Sequence, residues 1–234
     1  MSVSGTTTFT MAASDIVWAA LRLIGAYSSQ DTIPVSDTTN CMQALNIVAK
    51  KLALEGLPLW CVQTVTFPVV VGQAQYNLST LSGTTLPLRV LDCYTVNINS
   101  NSQVRLTPMS RYDFDRLGNP TSSGSLNMYF YDPQLSGGIL TVYDVPAEAI
   151  WNLKVNIQRQ VYDFNLATDA PDFPQEFFQM LKWGLADEIA LEYLTPPDMR
   201  REISQKFLLY KEEAFAANRE EASIFFAPSK YKSS

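Results

Sequence analysis

The first sixty residues place their apolar side chains at helical spacing. In "SDIVWAALRLIGAY", Ile16, Val17, Ala20, Leu21 and Ile24 share one face, Ser14 is placed to cap the N-terminus, and Asp15 suits its positive end. After the loop "SSQDTIPVSD", Ser36 or Asp37 can cap a second helix carrying Cys41, Leu45, Val48 and Leu52 at the same period. Lys50 and Lys51 near its negative end and Gly56 just beyond it are stop signals. The pattern predicts an antiparallel helical hairpin. From Thr64 the period changes to two. "TVTFPVVVGQAQYNL" reads as a β-hairpin turning at Gly72, with Pro68 weakening its first strand. "PLRVLDCYTVNIN" and "QVRLTPM" follow as strands, Ser110 opens a short helix with Asp113 three residues on, and "NMYFYDP", "GGILTVYDVP" and "NLKVNIQRQVYDF" complete the series. In the last, Leu153, Val155 and Ile157 alternate with Asn152, Lys154 and Asn156, so one face is predicted dry and the other wet.

Helical spacing returns in "DAPDFPQEFFQMLKWGLADEIALEYLTP", where Phe178, Leu181, Leu185, Ile189 and Tyr193 form a stripe widened by Phe177, Gly184 and Ala190. Asp172, Pro174 and Glu176 suit its start, and Gly184 is read as allowing a close helix crossing. "TPP" at 195–197 ends this helix and begins another, whose stripe is Ile203, Phe207, Tyr210, Ala214 and Ala217. Two helices at each end around a run of strands predict an α+β fold: an antiparallel helical bundle with an inserted antiparallel β-rich module and a C-terminal arm. The expected boundaries are 12–62 and 170–222 for the helical body, 63–169 for the module and 223–234 for the arm.

Composition narrows the function. The 234 residues are 47% apolar and only 17% charged, which leaves much of the surface neutral and fits a subunit covered by partners. The net charge of −6 and the absence of a clustered Lys/Arg surface argue against a tightly bound nucleic acid. No basic and apolar leader opens the chain, and no apolar run reaches the ~18 residues of a membrane span. Cys41, Cys61 and Cys93, widely spaced and odd in number, read as reduced buried thiols rather than a disulfide framework.

The chain contains no histidine. That removes Ser-His-Asp and Cys-His nucleophiles and His-ligated zinc, and no phosphate-loop, dinucleotide or HExxH pattern is present. No catalytic, cofactor or metal residues are therefore expected. Carboxylate chemistry survives as a formal option at Asp113 with Asp115, or Asp187 with Glu188, although capping and solvated helix faces explain these residues more simply. Tyr129, Phe130, Tyr131 and Trp151 have the chemistry to stack sugars, but alternate core and edge positions of a strand account for them. The tail "ASIFFAPSKYKSS" differs in kind: Ile224, Phe225 and Phe226, followed by Pro228 and the basic Lys230, Tyr231 and Lys232, make an apolar plug that docks either on its own subunit or on a neighbour.

The order of "SDIVWAALRLIGAY", the PVSD loop, "ALNIVAKKLALEGLPLW", "TFPVVVGQAQYNL", "LPLRVLD", "MYFYDP…GGILTVYDVP" and "DFPQEFFQMLKWGLADEIALEY" resembles the head-to-tail adaptors, or packaged-DNA stabilisation proteins, of short-tailed bacteriophages, over residues 12–195. The resemblance implies a non-enzymatic virion protein, made in the host cytoplasm, that assembles as a dodecameric ring beneath the portal. Such a ring extends the channel for double-stranded DNA, which passes without tight binding, and presents a docking surface to the tail nozzle or tube. It also implies that the arm at Ile224–Phe226 reaches the portal. A carboxylate-based cell-wall hydrolase and a carbohydrate- or host-surface-binding module remain the alternatives.

Overall fold

A computed structural model describes residues 9–55, 59–82, 87–134 and 137–218. Among the described residues the protein is mixed α+β, with six α-helices and mainly antiparallel sheets. Its buried side chains form two clusters, one among helices and one between sheets.

The helical cluster draws on α1 (Ala13–Leu23), α2 (Val35–Glu55), α5 (Phe178–Ile189) and α6 (Pro197–Ala217). The short helices α3 (Leu78–Ser82) and α4 (Arg111–Asp115) belong to the strand-rich region. α5 lies against α1, α2 and α6 and buries Phe178, Met180, Leu181, Gly184, Leu185 and Ile189. A helix buried on so many sides must be apolar most of the way round. Its contacts with α6 run antiparallel: Phe177 meets Phe215, Trp183 stacks on Tyr210, and the Ser204 hydroxyl donates to Asp187. Gly184 sits where three helices converge. A Cβ there would stand 2.9 Å from the Phe207 ring and 3.1 Å from Val48, so the close crossing expected at this glycine is present.

Helix ends differ from their sequence signals. α1 starts at Ala13 rather than after Ser14, and the Asp15 carboxylate accepts the Ala12 N–H at 2.9 Å. Its free N–H groups at Ala13 and Ser14 donate to the carbonyls of Asp169 (2.8 Å) and Ala167 (2.9 Å), so backbone from far along the chain does the work of a cap. α2 begins at Val35, which leaves neither Ser36 nor Asp37 at the capping position. Asp37 instead accepts the phenol protons of Tyr27 (2.6 Å) and Tyr193 (3.2 Å). α5 starts only at Phe178, after a 3-10 turn at Gln175–Phe177, and Asp172 and Glu176 precede it. Gly56 lies outside the described residues.

The second cluster lies between two four-stranded sheets. One has the order β1 (Val62–Pro68), β10 (Trp151–Gln158), β3 (Arg89–Asn97), β4 (Gln103–Arg105). The other is β2 (Gln75–Asn77), β8 (Gly137–Tyr143), β7 (Met128–Gln134), β5 (Thr107–Pro108). A small parallel pair, β6 (Ser123–Gly124) with β9 (Val145–Pro146), flanks them. Phe67, Cys93, Leu153, Val155 and Ile157 from the first sheet face Tyr76, Tyr129, Leu140 and Val142 from the second. Leu153, Val155 and Ile157 are fully buried, as their alternation predicts.

Residues 62–77 are not a hairpin. β1 pairs with β10 and β2 with β8, so the chain changes sheet between them. Gly72 supplies the turn (φ +76°), and its N–H donates to the Pro146 carbonyl. Pro68 lies opposite Asn152 in edge strand β1, where no ladder N–H is needed, and the ladder closes one residue on with the Val69 N–H donating to the Trp151 carbonyl at 3.0 Å; burial of Val69 then draws the chain across the core. "QVRLTPM" divides in the same way. Gln103–Arg105 pairs with β3, Thr107–Pro108 pairs with β7, and buried Leu106 passes between the sheets.

Candidate interaction surfaces

The chain leaves the helical cluster at Cys61 and returns at Arg159, side by side, with the Arg159 N–H donating to the Cys61 carbonyl at 2.9 Å. This crossing is held by polar groups. Arg159, only 7% exposed, makes a two-pronged ion pair with Asp172 at 2.5 and 2.9 Å and lies over the Tyr162 ring. The Asp172 hydrogen bond, its first cause, raises the Arg159 pKa further. Trp60 donates its indole N–H to the Asp172 carbonyl at 2.8 Å and packs on Phe173 and Phe177. Buried Gln158 accepts from Arg89 at 2.5 Å.

From there the segment 161–172 is stitched onto the helices. Asn46 on α2 clamps Phe164 from both sides, accepting its N–H at 2.8 Å and donating to its carbonyl at 2.9 Å. Lys50 donates to the Val161 carbonyl and pairs with Asp163 at 2.7 Å, so this lysine serves the crossing rather than the end of its helix. Asp169 accepts the N–H groups of Asn165 and Leu166, which turns the segment so that its carbonyls face α1.

Of the carboxylates considered for chemistry, Asp113 and Asp187 have hydrogen-bonding partners, while Asp115 and Glu188 are exposed. Asp113 receives the Ser110 hydroxyl at 2.6 Å while Ser110 accepts the Asp113 N–H at 3.1 Å, which caps α4. Asp187 receives Ser204, and Glu188 is exposed. Among the described residues, no group of three or more Cys, Asp or Glu is placed to hold a metal ion. Burial pushes the Cys61 and Cys93 thiols up to about 11 and about 12, which keeps them protonated and unreactive. Tyr129 and Phe130 are core residues, and the Tyr131 hydroxyl donates to the Pro87 carbonyl at 2.6 Å. No helix among the described residues is long and apolar enough to cross a membrane.

What remains is surface that is unusually short of charge. The outward stripe of α2 consists of Ser36, Asn40, Gln43, Ile47, Lys51 and Leu54, all exposed, with one cation among six residues. Beside it, Val35, Met42, Phe164 and Leu166 line an open groove of about 490 Å³. At the sheet-changing corner, Val70, Val71 and Leu81 are exposed around a second groove of about 360 Å³, which Val70 and Leu81 help to line. Composition hinted at such surfaces, but only the burial pattern locates them. The residues of the arm, Ile224, Phe225, Phe226, Pro228, Lys230, Tyr231 and Lys232, lie outside the described residues.

Among known proteins, no curated sequence matches the chain. A family model described as the SU10 adaptor protein matches residues 11–225, which takes in both helical ends and everything between them. Two cores joined by a polar crossing and the neutral or apolar patches on α2 and at the sheet-changing corner accompany that match, and the chain belongs to the SU10 adaptor protein family.

Proposed function

We propose that the protein is a structural component of a bacteriophage virion that joins the portal to the tail. The match to an adaptor family over residues 11–225 is the observation that carries this reading. In it, copies assemble as a ring, a dodecamer by resemblance, under the portal. The helical body, 12–62 and 170–222, forms the wall together with the segment 161–169 packed on it, while the strand-rich remainder of the inserted 63–169 module extends from it. The ring lengthens the DNA channel and helps retain the packaged duplex, which a chain of net charge −6 lets pass without gripping. The neutral stripe on α2 and the apolar corner at Val70, Val71 and Leu81 supply surface for neighbouring subunits and the tail. The arm at Ile224, Phe225 and Phe226, with Pro228, Lys230, Tyr231 and Lys232, docks on the portal.

Light scattering after size exclusion tests this with the chain alone and mixed with the portal of the same genome. A small free species that forms a stoichiometric ring on the portal is expected. Deleting residues 223–234 should abolish that binding and leave the circular dichroism spectrum and unfolding midpoint unchanged. A full-length chain that ignores the portal overturns the adaptor reading; retained binding by the truncated chain overturns the role of the arm.

A further inference from the structure

α5 is covered by α2 around Gly184, by α6 along Trp183 and Asp187, and by α1. At 100° per residue these contacts leave the early turns of one side of α5 open at exposed Gln179 and half-buried Lys182, with half-buried Trp183 at the edge under α6 and buried Ala186 closing the side one turn further on. The two walls of this seam are α1, through Arg22, and α6, through Tyr210 stacked on Trp183. Its chemistry is one-sided. The Lys182 ammonium lies over the Trp183 ring at 5.7 Å, and burial, then the nearby Arg22 charge, lowers its pKa. Among the described residues, no carboxylate lies within ion-pair distance of Arg22 or Lys182. Arg22, Trp183 and Tyr210 on one strip are of the residue types that dominate binding hot spots, and Lys182 adds a second unpaired cation.

The complementary surface is on the same chain. The outward face of α6 exposes Leu208 and Leu209 beside Glu212 and Glu213, and neither glutamate has an ion-pair partner among the described residues. Leucines suit the aromatic floor, and carboxylates suit the unpaired cations. Two different patches that fit one another make a heterologous contact, the kind from which rings are built when its rotation closes. We propose that the α1–α5–α6 seam of one copy receives the Leu208–Glu213 face of α6 from a second copy, with Arg22 and Lys182 meeting Glu212 and Glu213. The inference rests on the ring assembly proposed above, and a nucleic acid is the poorer occupant because two cations neutralise few phosphates.

Charge reversal on the full chain tests it, read by light scattering on the portal. Arg22→Glu with Lys182→Glu should weaken ring formation at least about tenfold, and Glu212→Lys with Glu213→Lys should do the same, because like charges then face each other. All four changes in one chain should restore assembly. Rings formed normally by either pair overturn the inference, and so does failure of the four-fold variant despite an unchanged unfolding midpoint. A photo-reactive phenylalanine analogue at Gln179, irradiated in the concentrated chain alone and on the portal, gives an independent answer. Cross-links to peptides of α6 from another copy are expected. Cross-links to portal or DNA overturn the inference while leaving the adaptor reading intact. A wild-type chain that ignores the portal counts against that reading, and the cross-link of the chain alone then decides the seam.

Discussion

Arg159 shows how a single residue fixes the relation between two cores. Its guanidinium is nearly buried and engages both oxygens of Asp172, while its backbone N–H holds the outgoing strand at Cys61. Arg159→Ala should lower unfolding stability by about 2–4 kcal/mol, short of the full cost of an orphaned buried charge because Asp172 keeps some contact with water. Urea denaturation measures this. Arg111→Ala, which breaks the exposed pair with Asp132, is the contrast and should cost less than about 1 kcal/mol. Equal losses would mean that the crossing is not specially stabilised. Nothing near Arg159 in sequence marks it out, since Asp172 lies thirteen residues on.

At the scale of elements, α5 decides the packing of the helices. Its stripe from Phe178 to Ile189 was plain in the sequence, although the helix stops there and Tyr193 lies in the turn beyond it, and Gly184 was readable as a crossing point, because a glycine inside a strong helical pattern needs a steric reason. Which helices cross there was not readable. Gly184→Val would drive two methyl groups into Phe207 and Val48, and overpacking of this kind costs about 1–3 kcal/mol. The urea midpoint should fall; a midpoint equal to wild type would show that α6 can move aside freely. The error over residues 62–77 has the same root. Two apolar stretches joined by a glycine turn look like a hairpin locally, but the strands find better partners at β10 and β8, each distant in sequence.

For the whole molecule, burial makes stability depend on alkaline pH. Desolvation raises the thiols of Cys41, Cys61 (about 11) and Cys93 (about 12), and the phenols of Tyr129 and Tyr131 (both about 12). In the unfolded chain these groups titrate near about 8.5 and about 10. Above those values the unfolded state has released protons that the folded state still holds, so stability falls as pH rises. The stabilisation is complete below about pH 8.5 and is lost through about pH 12. Urea midpoints should decline between about pH 8.5 and about pH 12, and a flat profile would contradict the buried assignments. The same burial explains why the thiols were legible from sequence as structural: three cysteines with no partner spacing belong inside.

The sequence by itself determined the α+β class, the four long helices, the dry face of β10, the close approach at Gly184 and, through the order of its segments, the family. These are periodic or local properties, and side-chain geometry along a helix or strand requires no distant partner to express them. Tertiary structure alone decided that the strands divide into two facing sheets, that Val48 and Phe207 are the side chains that meet Gly184, and that Arg159, Asn46 and Lys50 hold the crossing between cores. It also decided which surface stays bare, from the neutral stripe of α2 to the cationic seam at Lys182. Each of these depends on pairs of residues far apart in sequence, and exposure becomes defined only when every competing contact has been made.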